Sequence, residues 1–504
     1  MILSFIPFFM IFFFLVIKKY KSYKVMIGVF LFTFLMILGL WKVDFLNLVF
    51  ASIKGFISAI EIFLIILSIL LLFNLLKDKK KLDGIRDFMK SYTDDKNILI
   101  ILIGFFLVSF FEGIAGFGTP AAICVPILVF LGVDAMTSII VCLMADSIAV
   151  SFGAFGTPVL LGLKEFTNAS EISSITFFIG IISLILSIVL PFLMIVIYNK
   201  SIKKPFTESL KYLKVCFVSG LSFGILFLVS SMYLNTTVVS VIASVGGLIL
   251  TLIYLNTTKF VKKNVSRKPF ELLKNFSAYL VIVILLILSR IKSIGFGDFL
   301  KTIGFSLDFG SGIKSSFNFY SPGILILFVF ILFLFVYLTK KSEIESIVSK
   351  SFNQGKFALI TLIFTLMFVQ ILIFSNLNDY GINSVLEFVG VAFSKTGIFY
   401  IILSPIIGAF GSFITGSATV SNLIFGSLQT GVSEFSIYSK ELILALQTLG
   451  GGAGNMIAIH NIIAACSLVG LKNHESDIIK NNLKIVLIYC LIASGVGIFI
   501  YFIF

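Results

Sequence analysis

Charge is scarce in this chain. Asp, Glu, Lys and Arg make up 12% of 504 residues, against 59% hydrophobic residues, and the mean hydropathy is +1.13. A soluble domain cannot keep that much apolar surface from water, whereas a bilayer solvates it. The composition therefore excludes a soluble enzyme or binding module and predicts an all-α polytopic membrane protein. Paired cysteines are also missing. Cys124, Cys142, Cys216, Cys466 and Cys490 lie in or beside apolar runs at no regular spacing, as buried small hydrophobes do and disulfide frameworks or metal sites do not. No Walker, HExxH or kinase pattern occurs. Neither an enzyme nor a cofactor or metal site is expected.

What charge there is has one dominant sign. The net charge is +14, yet the basic residues gather between oily runs, at 18–24, 77–96, 200–214, 259–274 and 340–356. Short Lys-rich loops of this kind stay on the cytoplasmic side. No aromatic-interleaved basic surface accompanies them, so nucleic acid is not an expected partner. Residues 1–17 are oily but lack a basic leading segment and a small-residue cleavage site, and they read as a retained first span. With the Lys-rich loops inside, both termini fall outside a multi-pass protein of the cell membrane.

Runs of about 20 apolar residues fit a hydrocarbon core about 30 Å thick. They occur at 2–17, 25–41, 57–76, 174–197, 215–233, 237–255, 272–291, 321–339, 357–376 and 485–503. Two regions, 97–165 and 381–471, resist this count. Their apolar pieces are short and are separated by Gly, Ser, Thr and Asn. Non-helical backbone at membrane depth survives only inside protein or along a wet cavity. Short, Gly-interrupted segments at matching places in two halves point to a transporter's binding site.

The halves do match. "LDGIRDFMKSYTDDK" leads into an apolar run and then "EGIAGFGTP"; "GINSVLEFVGVAFSK" leads into another and then "GAFGSFITGSATVSN". Each half carries a second phrase, "SFGAFGTP" at 151–158 and "LGGGAGNM" at 449–456. The charge bias has the first unit entered from the cytoplasm and the second from outside. It also requires an odd number of crossings between Lys96 and Phe166. The expectation is one transporter domain over 1–504, with about 12–14 membrane segments. Two inverted-topology repeats, 82–198 and 381–504, would contain broken helices or re-entrant hairpins.

A broken helix turns free N–H groups towards an anion and free C=O groups towards a cation. Gly116, Gly118, Gly156 and Gly416 provide the breaks. Thr119, Thr157, Thr415, Ser417, Thr419, Ser421 and Asn422 add neutral hydrogen-bonding groups. Small residues also let helices pack closely, but four such phrases in two copies favour a substrate site. Glu112 stands at the first break. A midplane carboxylate costs roughly 2.5–3.5 kcal/mol on insertion scales, and burial penalises its charge, so Glu112 is a candidate proton carrier. Capping of a half-helix is its structural alternative. Asp146 is the second candidate. His460 in "NMIAIHN" can shuttle a proton or simply pack; His474 lies in a polar loop. Arg290 ends an apolar run, where it can snorkel outward or meet an anion. Lys54 and Glu61 suit pairing along one helix.

At these phrases the chain resembles the L-lactate permease family of carriers, which includes glycolate permease. The resemblance is carried by "FFEGIAGFGTPAAICVPILVFLGVDAM", "SFGAFGTP", "GSFITGSATVSNLIFGSLQ" and "LGGGAGNMIAIHNIIAACSLVGL". Family members share a Glu-Gly-x-x-Gly-Phe-Gly-Thr-Pro phrase, matched from Glu112 to Pro120. They also share a Thr-Gly-Ser phrase followed by Ser-Asn and Phe-Gly, matched from Thr415 to Gly426. The chain departs from the best-known members at Ala418, where they have Asp, and at Asn455, where they have Lys before Met. Asn-Met followed by His460 and Asn461 looks like a second branch, without that pair of charges. The resemblance implies proton-linked uptake of lactate or a related 2-hydroxymonocarboxylate such as glycolate, with Asn455, His460 and Asn461 joining the site. A sodium/proton antiporter or a sodium-coupled carboxylate carrier is the alternative. A membrane acyltransferase or protease would need a nucleophile–base arrangement that the sequence does not display.

Overall fold

A computed structural model describes the chain except residues 1, 15–17, 19, 80, 82–91, 117–118, 235, 259, 261–276, 290–293, 311, 379–380, 382–383, 386–387, 389–395, 435, 472–473 and 504. Among the described residues nine helices are long and apolar enough to cross a membrane. Seven of them contain or overlap predicted runs, for example Ala169–Ser201 around 174–197 and Glu475–Ile503 around 485–503. The other two, Lys96–Ile114 and Ala135–Leu160, lie in the region that resisted counting. In the predicted first span a turn at Ile2–Phe5 leads into helix Ile6–Phe12, and its last residues, 15–17, lie outside the described residues. The run at 321–339 gives the short helix Pro322–Val336. One element departs from an all-helical chain: strands Gly304–Asp308 and Lys314–Asn318 pair antiparallel as a hairpin.

The chain divides into two compact units. The first comprises Met1–Leu75, Val281–Tyr400 and Leu423–Ile443. Helix Ser22–Met36 runs beside Lys341–Ile373, with ring contacts Tyr23–Phe357 and Phe30–Phe364. Asn74 donates to Ser351 Oγ at 2.8 Å and to Gln354 Oε1 at 3.0 Å. The hairpin tip residue Phe309 stacks on Phe50.

The second unit comprises Leu76–Leu280, Ile401–Asn422 and Leu444–Phe504. One of its ends is a knot of hydrogen bonds. The Tyr212 hydroxyl donates to Asp95 at 2.8 Å, Tyr92 to Leu252 O at 2.9 Å, Lys96 to Gly132 O and Ser201 to Asp134 at 3.3 Å. Burial and the Asp95 carboxylate push the Tyr212 pKa up, which keeps that hydroxyl a donor. The knot also fixes the chain path. Because Lys96 and Gly132 meet, helices Lys96–Ile114 and Thr119–Phe130 run out and back as a hairpin. Ala135–Leu160 then leaves from the same end, and Ala169–Ser201 comes back to it.

Candidate functional site

Three of the four phrases are breaks. The first helix ends at Ile114 and Gly116 adopts φ +58 before the next begins at Thr119. In "SFGAFGTP" a tight turn, Val150–Phe152, leads to three left-handed residues in succession: Ala154 (φ 45), Phe155 (φ 56) and Gly156 (φ 82). Two of these carry a Cβ, and such backbone costs of order 1–3 kcal/mol per residue, a strain that gathers at functional sites. A Cβ at Gly156 would also lie 2.9 Å from Thr236 O. In the third phrase helix Tyr400–Thr415 stops, Gly416 turns with φ +66, and helix Ala418–Ser433 starts. The Ser417 hydroxyl accepts from Val420 N at 3.3 Å, as an N-cap does. Thr415 donates back to Gly411 O at 2.8 Å.

The fourth phrase corrects the expectation of a break. Helix Lys440–Asn455 runs unbroken through Gly450–Gly454 and ends only at Asn455. The glycines serve contact. A Cβ at Gly450 would lie 2.0 Å from Pro405 O, and one at Gly454 2.0 Å from Ala409 O. Neighbouring backbone occupies the side-chain space, as small residues allow in membrane helix pairs.

All four phrases reach one cavity of about 20 Å³, room for about one water. Its lining includes Glu112, Gly116, Gly153, Thr157, Ser417, Thr419 and Asn455, and also Ala418, one of the positions of departure. Glu112 and Asp146 are both 4% exposed, and their carboxyl groups lie within electrostatic reach of each other. Glu112 Oε2 and Asp146 Oδ1 are buried without a hydrogen-bond partner. Gly153 makes the seat for Glu112, since a Cβ there would lie 2.2 Å from Glu112 Oε1. That glycine sits inside a phrase the sequence singled out, but its partner is 41 positions away in numbering (153 − 112).

The remaining candidates hold the walls together. Thr419 Oγ1 lies 3.3 Å from Thr157 Oγ1. Asn422 donates to Pro158 O at 3.0 Å and to Thr448 Oγ1 at 2.9 Å. Ser421 donates to Gly408 O at 2.9 Å and accepts from Gln447 at 3.1 Å. Gln447 and Thr448 were not anticipated; they directly precede the Gly-rich phrase, and only the fold brings them near 421–422. Asp146 accepts from Asn455 at 2.8 Å, and Asn455 accepts from Asn461 at 2.7 Å. Gly118 and Arg290 lie outside the described residues, as do the side chains of Thr119 and His460.

Comparison with known proteins identifies the family. A family model described as L-lactate permease matches residues 1–295 and 308–504. A Haemophilus influenzae protein whose name carries the words L-lactate permease is 31% identical over 431 residues, 78% of each chain. The L-lactate permease of Bacillus subtilis is 27% identical over 485 residues, 85% of this chain and 83% of that one. The glycolate permease GlcA of Escherichia coli is 25% identical over 488 residues, 86% and 83% of the two chains. This multi-pass membrane protein belongs to the L-lactate permease family.

Proposed function

We propose that the chain imports L-lactate or a related small 2-hydroxymonocarboxylate, such as glycolate, together with a proton across the cell membrane. The observation that carries this reading is the shared cavity, where the capped N-terminus of helix Ala418–Ser433 and Glu112, the nearer member of a buried carboxyl pair, line one space. The helix N-terminus, with the Ser417 and Thr419 hydroxyls, suits the substrate carboxylate. Glu112 and Asp146 suit the proton. With both ionised, two negative charges would face each other out of water, and an arriving anion would add a third. One proton on the pair removes part of that repulsion and lets anion and proton cross without net charge. The names of the relatives support the substrate class, since lactate and glycolate share a hydroxyl beside the carboxylate. The cavity is too small for either acid, so in this reading the structure is a closed state. The units 82–198 and 381–504, in opposite orientations, would part to admit substrate.

Uptake into sealed proteoliposomes tests the coupling. An inward proton gradient should accumulate L-lactate without sodium. Glu112→Gln mimics the protonated form permanently, so exchange of internal for external lactate should persist while uphill accumulation falls by about tenfold or more, some 1.4 kcal/mol per decade. Accumulation driven by sodium with no proton gradient would favour the sodium-coupled carrier instead.

A further inference from the structure

The contacts behind the cavity separate two asparagines into different roles. Asn455 lines the cavity, and its Nδ2 donates to Asp146 Oδ2 at 2.8 Å. Its Oδ1 accepts from Asn461 Nδ2 at 2.7 Å. Asn455 is 6% exposed and Asn461 8%. The two ends of an amide are similar in shape, so its hydrogen-bond partners decide which way it faces. Turning Asn455 over would set its oxygen against a carboxylate oxygen and its NH2 against the NH2 of Asn461. Two hydrogen bonds would become two repulsions. The turn between the two asparagines is itself held, because Asn482 donates to Met456 O at 2.8 Å.

An amide nitrogen carries two hydrogens. Asp146 takes one from Asn455, and the other has no acceptor among the described residues. Glu112 lines the same cavity, and its Oε2 is a buried acceptor without a donor. A hydroxyl oxygen, of a water or of a bound substrate, completes both by accepting from the amide and donating to the carboxylate. We propose that Asn455 is a specificity-determining residue that donates to the 2-hydroxyl oxygen of the substrate, whose own hydrogen goes to Glu112 Oε2. Asn461 is the positioning residue that keeps the Asn455 NH2 facing this way. The assignment rests on the carboxylate lying at the Ala418–Ser433 helix N-terminus, as in the reading above. It makes 2-hydroxy acids preferred over their deoxy analogues, because a site built for a hydroxyl leaves its own buried groups unpaired when that hydroxyl is missing.

The test is competition of unlabelled L-lactate and propionate against labelled lactate exchange in proteoliposomes. Exchange needs no proton gradient, and the ratio of the two inhibition constants is independent of how much protein is active. The wild-type chain should prefer lactate by about 100-fold or more. Asn455→Ala should lower that ratio about tenfold, matching one lost hydrogen bond. Asn461→Ala should do the same by raising KM for lactate while the maximal exchange rate stays within about twofold. Asn461→Gln, which retains the donor, should recover most of the preference. The double alanine variant should be no worse than either single one, since both changes remove the same contact. A discriminating wild type with an equally discriminating Asn461→Ala variant overturns this assignment alone, as do multiplicative effects in the double variant. A wild-type chain that takes lactate and propionate equally overturns the substrate reading and this assignment together.

Discussion

"SFGAFGTP" and "LGGGAGNM" look alike as sequence, and the fold uses them in opposite ways. The first bends the chain through three left-handed residues and opens a seat for Glu112. The second, richer in glycine, stays helical through all its glycines and presses against a neighbour's carbonyl oxygens. Glycine content alone therefore does not break a membrane helix. Pro158 has no N–H to continue the ladder and restricts the residue before it, whereas the 449–456 phrase has no proline. What lies opposite decides the rest. Opposite Gly153 is the mobile end of a side chain, and opposite Gly450 and Gly454 is backbone.

The largest effect is expected where backbone cannot yield. Gly454→Ala would set a Cβ 2.0 Å from Ala409 O, forcing helices Tyr400–Thr415 and Lys440–Asn455 apart. Overpacking typically costs about 1–3 kcal/mol, and a contact with backbone belongs at the top of that range. The variant should show a lowered melting midpoint in detergent and reduced abundance in the membrane, while each surviving molecule transports normally. Normal abundance with lost transport would move this phrase into the same class as the first.

Gly153→Ala sharpens the contrast from the other side. Its Cβ would meet Glu112 Oε1 at 2.2 Å, and a carboxylate on a flexible stem can swing away. Stability should change by no more than about 1 kcal/mol, yet lactate uptake should fall about tenfold or more because Glu112 leaves its seat. Immunoblotting of membranes alongside vesicle uptake separates the two effects. Equal losses of protein and of uptake would count against the seat.

Much of this contrast was legible beforehand, in particular places. Gly116, Gly156 and Gly416 were marked as breaks, and all three adopt positive φ. Unbroken apolar runs such as 215–233 became helices almost residue for residue, as Leu213–Tyr233. The lengths of Lys96–Ile114 and Ala135–Leu160 were not legible. Their Ser109, Glu112, Thr137 and Asp146 lower the hydropathy as if they faced lipid, whereas all four are buried in protein. The fate of the Gly-rich helix was hidden for a different reason: Pro405 and Ala409, the residues that press on it, are remote in sequence. The same holds for Asn455 and Asp146, 309 positions apart. Local pattern reports what the chain can do at a point, and only the fold supplies the neighbour that chooses.

The smallest effect has the opposite sign and tests whether close approach is the whole cause. Gly495 lies inside helix Glu475–Ile503, is exposed, and a Cβ there would meet no atom within 4 Å. Two positions on, a Cβ at Gly497 would lie 3.2 Å from Leu446, so one helix holds both situations. Gly495→Ala removes backbone freedom that the unfolded chain would otherwise enjoy and adds nothing that collides. It should stabilise the protein by about 0.5–1 kcal/mol, read as a small rise in melting midpoint with unchanged lactate uptake. Gly497→Ala should give less or none of that gain, because Leu446 must shift to admit the methyl group. If Gly495→Ala instead destabilised as much as Gly454→Ala, replacing a helical glycine would be costly without any opposing backbone. The carbonyls of Pro405 and Ala409 could then no longer explain why "LGGGAGNM" tolerates no side chain.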